Sequence, residues 1–343
     1  RALEVISKEM DFIQSSLYKN SIKISKRNTN LLFYDCTNYF FEIESEDGLK
    51  QYGYSKEHKP NPIVQMGLFM DGDGVPLAFN INSGNTNEQV TLKPLEKQIL
   101  SDFSLSKFIV CTDAGLASKE NRLFNSIEDR AFVTTQSIKK LKKHLKKWAL
   151  DTEGWHLAND KNIYNLANIN EDKYKDKIFH KERWIKEDDL EQKLIVTYSV
   201  KYKNYQRTVR SNQIERAQKT IQSNPTKLKK CNSNDYKRFI TKTHCTKEGE
   251  IADKELYCIN TNLIIEEAFD GFYAVCTNLE DDASQIAQLN KRRWEIEECF
   301  RIMKKEFKAR AVNLSRKDRI IAHFATCFIS LIVYRLLEKK LGE

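Results

Sequence analysis

Three carboxylates in this chain sit where the surrounding sequence calls for burial or for a turn, and each is a candidate to hold a metal ion. Asp35 lies within LLFYDCTNYFFEI (31–43), an aromatic and aliphatic run of strand length in which an acid needs compensation. Asp113 follows the short apolar run FIVCT (108–112) and precedes Gly115. The carboxyl end of a buried strand beside a flexible turn is where open α/β sheets place their ligands. Glu297 belongs to QLNKRRWEIEECFRIMKKEFK (288–308). At 3.6 residues per turn that stretch predicts a helix with Leu289, Ile296, Phe300, Met303 and Phe307 on its apolar face. A second stripe, Arg293, Glu297, Arg301, Lys304 and Lys308, recurs every three or four residues beside it. One hard oxygen ligand flanked by cations suits a divalent ion next to a phosphate backbone. The spacing alone leaves two plainer readings open: a solvated face of mixed charges, and an Asp113 that caps its own turn.

The elements that must position these residues follow in order. Residues 1–30 begin with a helical pattern (Leu3, Ile6, Met10, Ile13, Leu17) and read as an N-terminal helical connector to something preceding it. The strand around Asp35 is followed by strand patterns at Ile63–Met70 and Pro76–Ile81 joined by DGDG, a hairpin signal, so three strands form an antiparallel meander. A helix is expected within Glu88–Leu100 with Pro94 in its first turn, then the FIVC strand, a helix near Lys119–Ser126 and a strand at Phe132–Thr135. Ile138–Leu150 reads as a basic helix, after which the chain becomes richer in Lys, Asn, Tyr and Glu. Strands at 194–202 and 256–262 and a polar helix at Tyr205–Ser223 belong to this insertion. Trp155, Tyr164, Trp184, Tyr202, Tyr205 and Tyr236 place aromatics among cations there, suited to stacking on bases or to local packing. GFYAVCTN (271–278) restores a buried strand before the Glu297 helix. Ile320–Leu337 is apolar but interrupted by His323, Ser330 and Arg335, so a core or subunit-interface helix is expected and no membrane partner. The resulting segments are the connector 1–30, a core in two parts at 31–136 and 269–343, and an insertion at 137–268.

The chain has 343 residues, enough for a sizeable core, and 57 Lys and Arg against 48 Asp and Glu, a net charge of +9. Basic runs at 139–148, 227–230 and 291–293 favour nucleic acid over an acidic small molecule. Eight cysteines without a CxxC pair predict a reduced, cytosolic chain without a disulfide framework.

Strand, strand, strand, helix, strand and a late helix, with an acid at three of these places, predict an α/β ribonuclease-H-like mixed sheet with flanking helices, interrupted by a large α+β insertion. The sequence resembles the DDE transposases of the bacterial insertion-sequence-four group, whose late helix carries Tyr, two residues, Arg, three residues, Glu, six residues, Lys. Arg293, Glu297 and Lys304 match that spacing, and Asn290 stands at the Tyr position. FYDCTNYFFE (33–42), TDAGLAS (112–118) and HFATCFISLIVYRLLEKKL (323–341) resemble the blocks around the first two acids and the closing helix of that group. The resemblance implies Asp35, Asp113 and Glu297 as catalytic metal ligands, with Asp35 shared by two Mg²⁺ ions, for which Mn²⁺ can substitute. It implies Arg293, Lys304, Arg301 and Asn290 as DNA contacts, with double-stranded transposon ends and target DNA as partners and a homodimer on DNA. The expected reaction is metal-dependent cleavage at transposon ends and strand transfer, in a bacterial cytoplasm close to the nucleoid. A ribonuclease-H-like nuclease without strand transfer and a non-catalytic DNA-binding relic are the alternatives.

Overall fold

In the computed structural model, which describes residues 1–187, 189–223, 235–245 and 251–342, the chain opens with helices α1 (Ala2–Lys8) and α2 (Met10–Ile24). There follow β1 (Leu31–Phe40), β2 (Ile63–Asp71), β3 (Pro76–Ser83), α3 (Leu92–Asp102), β4 (Ile109–Thr112), α4 (Lys119–Phe124) and β5 (Ala131–Thr135). Next come α5 (Lys143–Leu150), β6 (His156–Leu157), β7 (Phe179–Glu187), β8 (Leu190–Tyr198), α6 (Val200–Ser223), β9 (Ile240–Cys245) and β10 (Ile251–Ile259). The chain closes with β11 (Phe272–Thr277), α7 (Ala283–Lys291), α8 (Trp294–Lys305) and α9 (Lys317–Gly342). The basic run expected at 227–230 lies outside the described residues. Nine strands form one mixed sheet in the order β3-β2-β1-β4-β5-β11-β8-β7-β6, and β9 and β10 pair separately. The sheet is mixed and flanked by helices, as the sequence predicts. The chain divides into two compact units, one of residues 1–136, 182–195 and 275–343, the other of 137–181 and 196–274.

In the first unit the meander forms as expected, with β1 antiparallel to β2 (Asp35 opposite Leu68) and β2 antiparallel to β3. β4 then lies parallel to β1, and β5 parallel to β4. β2 is buried along its whole length, as a strand covered on both faces must be. The period of two in β1 divides its side chains between those faces. Leu32, Tyr34 and Cys36 join a core with Tyr18 of α2 and Leu92, Leu95 and Ile99 of α3. Asp35, Thr37 and Tyr39 look the other way, where Tyr39 packs on Phe324 of α9 at 4.7 Å between ring centroids. α9 is long and apolar enough to cross a bilayer by length and composition, and half of its most apolar window is buried in the protein. Ile320, Phe324, Phe328 and Leu331 make up much of that buried face.

The sheet corner beside β2 is locked by Arg27. Its guanidinium pairs with the Asp71 carboxylate and donates to Ser21 Oγ at 2.6 Å and to the carbonyls of Val75 and Pro76 at 3.1 and 2.9 Å. Asp71 Oδ1 accepts from the backbone N–H groups of Asp73 and Val75, which closes the hairpin turn. Gly74 takes φ +80° there, a conformation that favours glycine.

The helix expected over 288–308 is two helices. Around Arg292 and Arg293 the backbone bonds shorten to an i→i−3 pattern (Arg292 N to Leu289 O, Arg293 N to Asn290 O, Glu295 N to Arg292 O). That tighter turn changes the phase of the helix. Ile296, Phe300 and Met303 are buried as expected, whereas Leu289 is only half-buried on α7 and Phe307 half-buried beyond the end of α8.

In the second unit Trp155 is fully buried against Tyr198 and Phe272, with its indole N–H donating to Asp151 O. Trp155 is therefore core, and no base can reach its ring. Tyr202 and Tyr205 on α6 are exposed and stacked on each other at an interplanar angle of 16°.

Candidate active site and nucleic-acid interface

Asp35 opens onto a cavity of about 430 Å³ in the first unit, lined also by Thr37, Lys56, Glu297, Lys304 and Arg310. Its side chain is 13 % exposed. Oδ1 accepts the Cys36 N–H at 2.7 Å, while Oδ2 stands 4.0 Å from Arg293 Nη2. Burial pushes the Asp35 carboxyl up to about 6, with Asp113 adding to the rise and Lys56 and Arg293 opposing it. The protein thus spends a strand position on an acid that it solvates poorly.

Asp113 stands just past the end of β4, outside the residues that line this cavity. Oδ1 accepts from Gly115 N and Leu116 N at 2.9 and 3.0 Å, the turn-capping arrangement that its sequence left open, and its charge is still felt at Asp35. Glu297 lies exposed in the first turn of α8 and lines the same cavity as Asp35. It makes no side-chain hydrogen bond or ion pair among the described residues.

Arg293 sits at the N-cap of α8 and is 16 % exposed, with a buried Nε that lacks a hydrogen-bond partner. Lys304, in the last turn of α8, lies over the Tyr39 ring at 5.2 Å, and burial lowers its pKa. Arg301 also lines the cavity, but Glu298 and Glu306 take its guanidinium at 2.6–3.0 Å. Lys308 falls beyond α8 with φ +53° and leaves the stripe. Asn290 is buried on α7 and donates to Thr135 Oγ1 of β5 at 3.2 Å.

The sequence reading missed Lys56 and Arg310, which line the cavity, and Glu57, which pairs with two of its cations. Lys56 Nζ donates to Cys36 O and pairs with Glu88 at 3.0 Å; burial opposes its charge, but Asp35 and Glu88 outweigh burial and raise its pKa. Glu57 bridges Lys304 at 3.0 Å and Arg310 at 2.7 Å; burial raises its carboxyl, and the two cations outweigh this and hold it below the ordinary value. Lys56 and Glu57 belong to the polar connection between β1 and β2, and Arg310 to the segment after α8, where no periodic pattern marks a face.

A magnesium ion takes one or two carboxylates and keeps several waters, so the donor chemistry of Asp35, Asp113 and Glu297 suits it in kind. Asp35, desolvated and repelled by Asp113, is an acid that a cation would relieve. Among the described residues, however, no three His, Cys, Asp or Glu side chains stand close enough to hold one ion together.

The chain is similar to the piggyBac transposase in a synaptic complex with hairpin DNA, at 10 % identity and a TM-score of 0.44. That alignment covers 92 % of this chain and 48 % of the other, so the chain spans about half the length of that protein. It is also similar to the Mos1 transposase in a paired-end complex with the left transposon end, at 13 % identity and a TM-score of 0.21, over 35 % of this chain and 39 % of that one. No curated protein matches it. The family model of the transposase DDE domain matches residues 39–333, a span that takes in Asp113 and Glu297 and begins just after Asp35. With 39–333 amounting to most of its length, the chain belongs to the transposase DDE domain family.

Proposed function

We propose that this chain is a DNA transposase of the insertion-sequence-four type, cutting at transposon ends and joining them to target DNA with divalent ions held by Asp35, Asp113 and Glu297. The observation that carries the reading is the cavity that has Asp35 and Glu297 in its walls and Lys56, Lys304 and Arg310 beside them. An enzyme acting on a phosphodiester needs that mixture: acids for metal, cations for the flanking phosphates. The spacing of Arg293, Glu297 and Lys304 supports the narrower group assignment.

Asp35 would be the ligand shared by two ions, Mg²⁺ or Mn²⁺, and Asp113 and Glu297 would each complete one site. When bound, such ions activate an attacking water or 3′ hydroxyl and stabilise the leaving oxygen. The remaining chemistry belongs to the chain's own side chains. Arg293 favours the ionised form of Asp35 in the free protein and is placed to take a phosphate oxygen once a cation neutralises that carboxylate. Lys304 grips the backbone, and its loss weakens DNA engagement more than metal binding. Double-stranded transposon ends and target DNA are the partners, engaged by a homodimer in the bacterial cytoplasm.

A Mn²⁺ titration by calorimetry of the wild-type chain and Asp35→Asn tests the metal assignment without knowledge of the DNA ends. Heat that vanishes in the variant supports it; a wild-type chain that binds no Mn²⁺ even with duplex present favours a non-catalytic DNA-binding relic. With cognate ends, Asp35→Ala, Asp113→Ala and Glu297→Ala each abolish cutting while duplex affinity persists. Cut products without a joined 3′ end would instead identify a nuclease.

A further inference from the structure

Glu57 occupies a position whose partners suit a different ligand. Its two carboxylate oxygens are divided between two cations, Oε1 to Lys304 Nζ at 3.0 Å and Oε2 to Arg310 Nη1 at 2.7 Å. One cation comes from the last turn of α8 and the other from the segment that follows it. An ammonium and a guanidinium converging on two oxygens of one anion is also how a phosphodiester is gripped through its two non-bridging oxygens. Both cations line the cavity that holds Asp35 and Glu297. The backbone around Glu57 is held to β1 through Lys56 N–H, which donates to Asn38 Oδ1 at 3.2 Å, and by its own turn, in which His58 N–H donates to Ser55 O and Lys59 N–H to Ser55 Oγ, each at 3.1 Å. His58 closes that turn with φ +56°. A turn within the long connection 41–62 can release a side chain without disturbing the sheet.

We propose that Lys304 and Arg310 form a two-pronged phosphodiester site, and that Glu57 holds its place in the free chain until a nucleic-acid backbone displaces it. The proposal rests on the nucleic-acid reading above and adds Arg310 and Glu57 to it. Every duplex that binds must first break the Glu57 bridge, so the chain is held below its full affinity. Removing the Glu57 charge lifts that restraint.

The test is fluorescence anisotropy with a short blunt duplex of arbitrary sequence, at physiological salt, on the full chain. Glu57→Gln tightens binding about tenfold, as expected when two cations are freed from a charge-assisted bridge. Glu9→Gln, an equal change of charge at an exposed position, gives the gain owed to net charge alone. In a Lys304→Ala, Arg310→Ala background the Glu57→Gln gain disappears. A second measurement needs no variant: amide exchange at Lys56, His58 and Lys59 of the wild-type chain speeds up when duplex saturates it. A Glu57→Gln affinity no better than that of Glu9→Gln, or exchange that slows at these amides, overturns the proposal while leaving the functional reading intact. A chain that binds no duplex, with or without Glu57, overturns both.

Discussion

Two aspartates on neighbouring antiparallel strands, Asp71 on β2 and Asp35 on β1, each stand beside an arginine, and the molecule treats them oppositely. Asp71 is fully buried, and both its oxygens are bonded, one to Arg27 and the other to the N–H groups of Asp73 and Val75. Arg27 in turn donates to Ser21, Val75 and Pro76. Asp35 has one backbone bond and a guanidinium at 4.0 Å, and that guanidinium keeps a buried Nε without a partner. A buried acid is therefore no sign of function by itself. What separates the two is how far their hydrogen-bonding capacity is used up, since a saturated pair holds structure and an unsaturated one facing a cavity is available to a ligand.

The largest effect should break the structural member of the comparison. Asp71→Ala leaves the Arg27 guanidinium buried without its counter-charge and removes the turn acceptor, a loss of about 3–5 kcal/mol. Asp35→Asn keeps the shape and removes a charge that is only loosely compensated, so stability at pH 7 changes by about 1 kcal/mol or less, or rises. Urea denaturation of the two variants measures both. Equal losses would mean that the two aspartates are held alike.

A third acid sharpens it through pH. Glu96 on α3 is fully buried, its Oε1 lies 4.0 Å from Arg130 Nη1, and both of those atoms lack a hydrogen bond; Oε2 accepts from Asn125 Nδ2 at 3.1 Å. Burial pushes its carboxyl up to about 7, against an ordinary 4.5, with Asn125 and Arg130 opposing the rise. The folded chain then holds this proton more tightly than the unfolded chain does. Its contribution to stability is complete below about 4.5 and is lost as the pH rises through 7, about 3 kcal/mol in all. Glu96→Gln removes that share of the pH dependence. The difference in urea midpoint between wild type and variant at pH 5 and at pH 8 checks it, and a difference that does not change with pH would mean that Arg130 keeps Glu96 ionised throughout.

Divalent metal probes the open member directly. At a Mn²⁺ concentration a hundred times its dissociation constant, the wild-type chain gains about 2.7 kcal/mol against unfolding. Asp35→Asn gains none. A gain that survives in the variant would place the ion elsewhere.

Much of this could be read before the fold was known, because period and turn chemistry are local. The aromatic and aliphatic run of β1, the largely apolar run of β2 and the DGDG turn marked three strands and put an acid in the first of them. The role of Asp71 was not legible: it ends a strand and opens a turn, and its partner Arg27 lies 44 positions earlier in a polar stretch. Lys56, Glu57 and Arg310 were invisible for the same reason, since each acts through a long-range pair and none sits in a periodic segment. The stripe on α8 was overread, because a 3.6-residue period carried it through the tight turn at Arg292 and Arg293 and on past Lys305, where the helix ends.

The smallest effect separates cations within that stripe. Arg301 and Lys304 both line the cavity and both belong to α8, so by spacing they are equivalent. Their partners differ: Arg301 is exposed and chelated by Glu298 and Glu306 of its own segment, whereas Lys304 is largely buried over Tyr39 and meets only Glu57 from another element. A guanidinium held between two carboxylates carries little net charge toward a phosphate and releases few counterions when DNA arrives. Lys304→Ala should therefore lower the slope of log affinity against log salt by about 0.9, the share of one phosphate contact, and Arg301→Ala by less than half of that. Fold stability changes by less than about 0.5 kcal/mol for Arg301→Ala, as for other exposed pairs. If Arg301→Ala flattens the salt dependence as much as Lys304→Ala does, then Glu298 and Glu306 let go of it on DNA. In that case the bonds made in the free chain do not decide which cations reach the backbone.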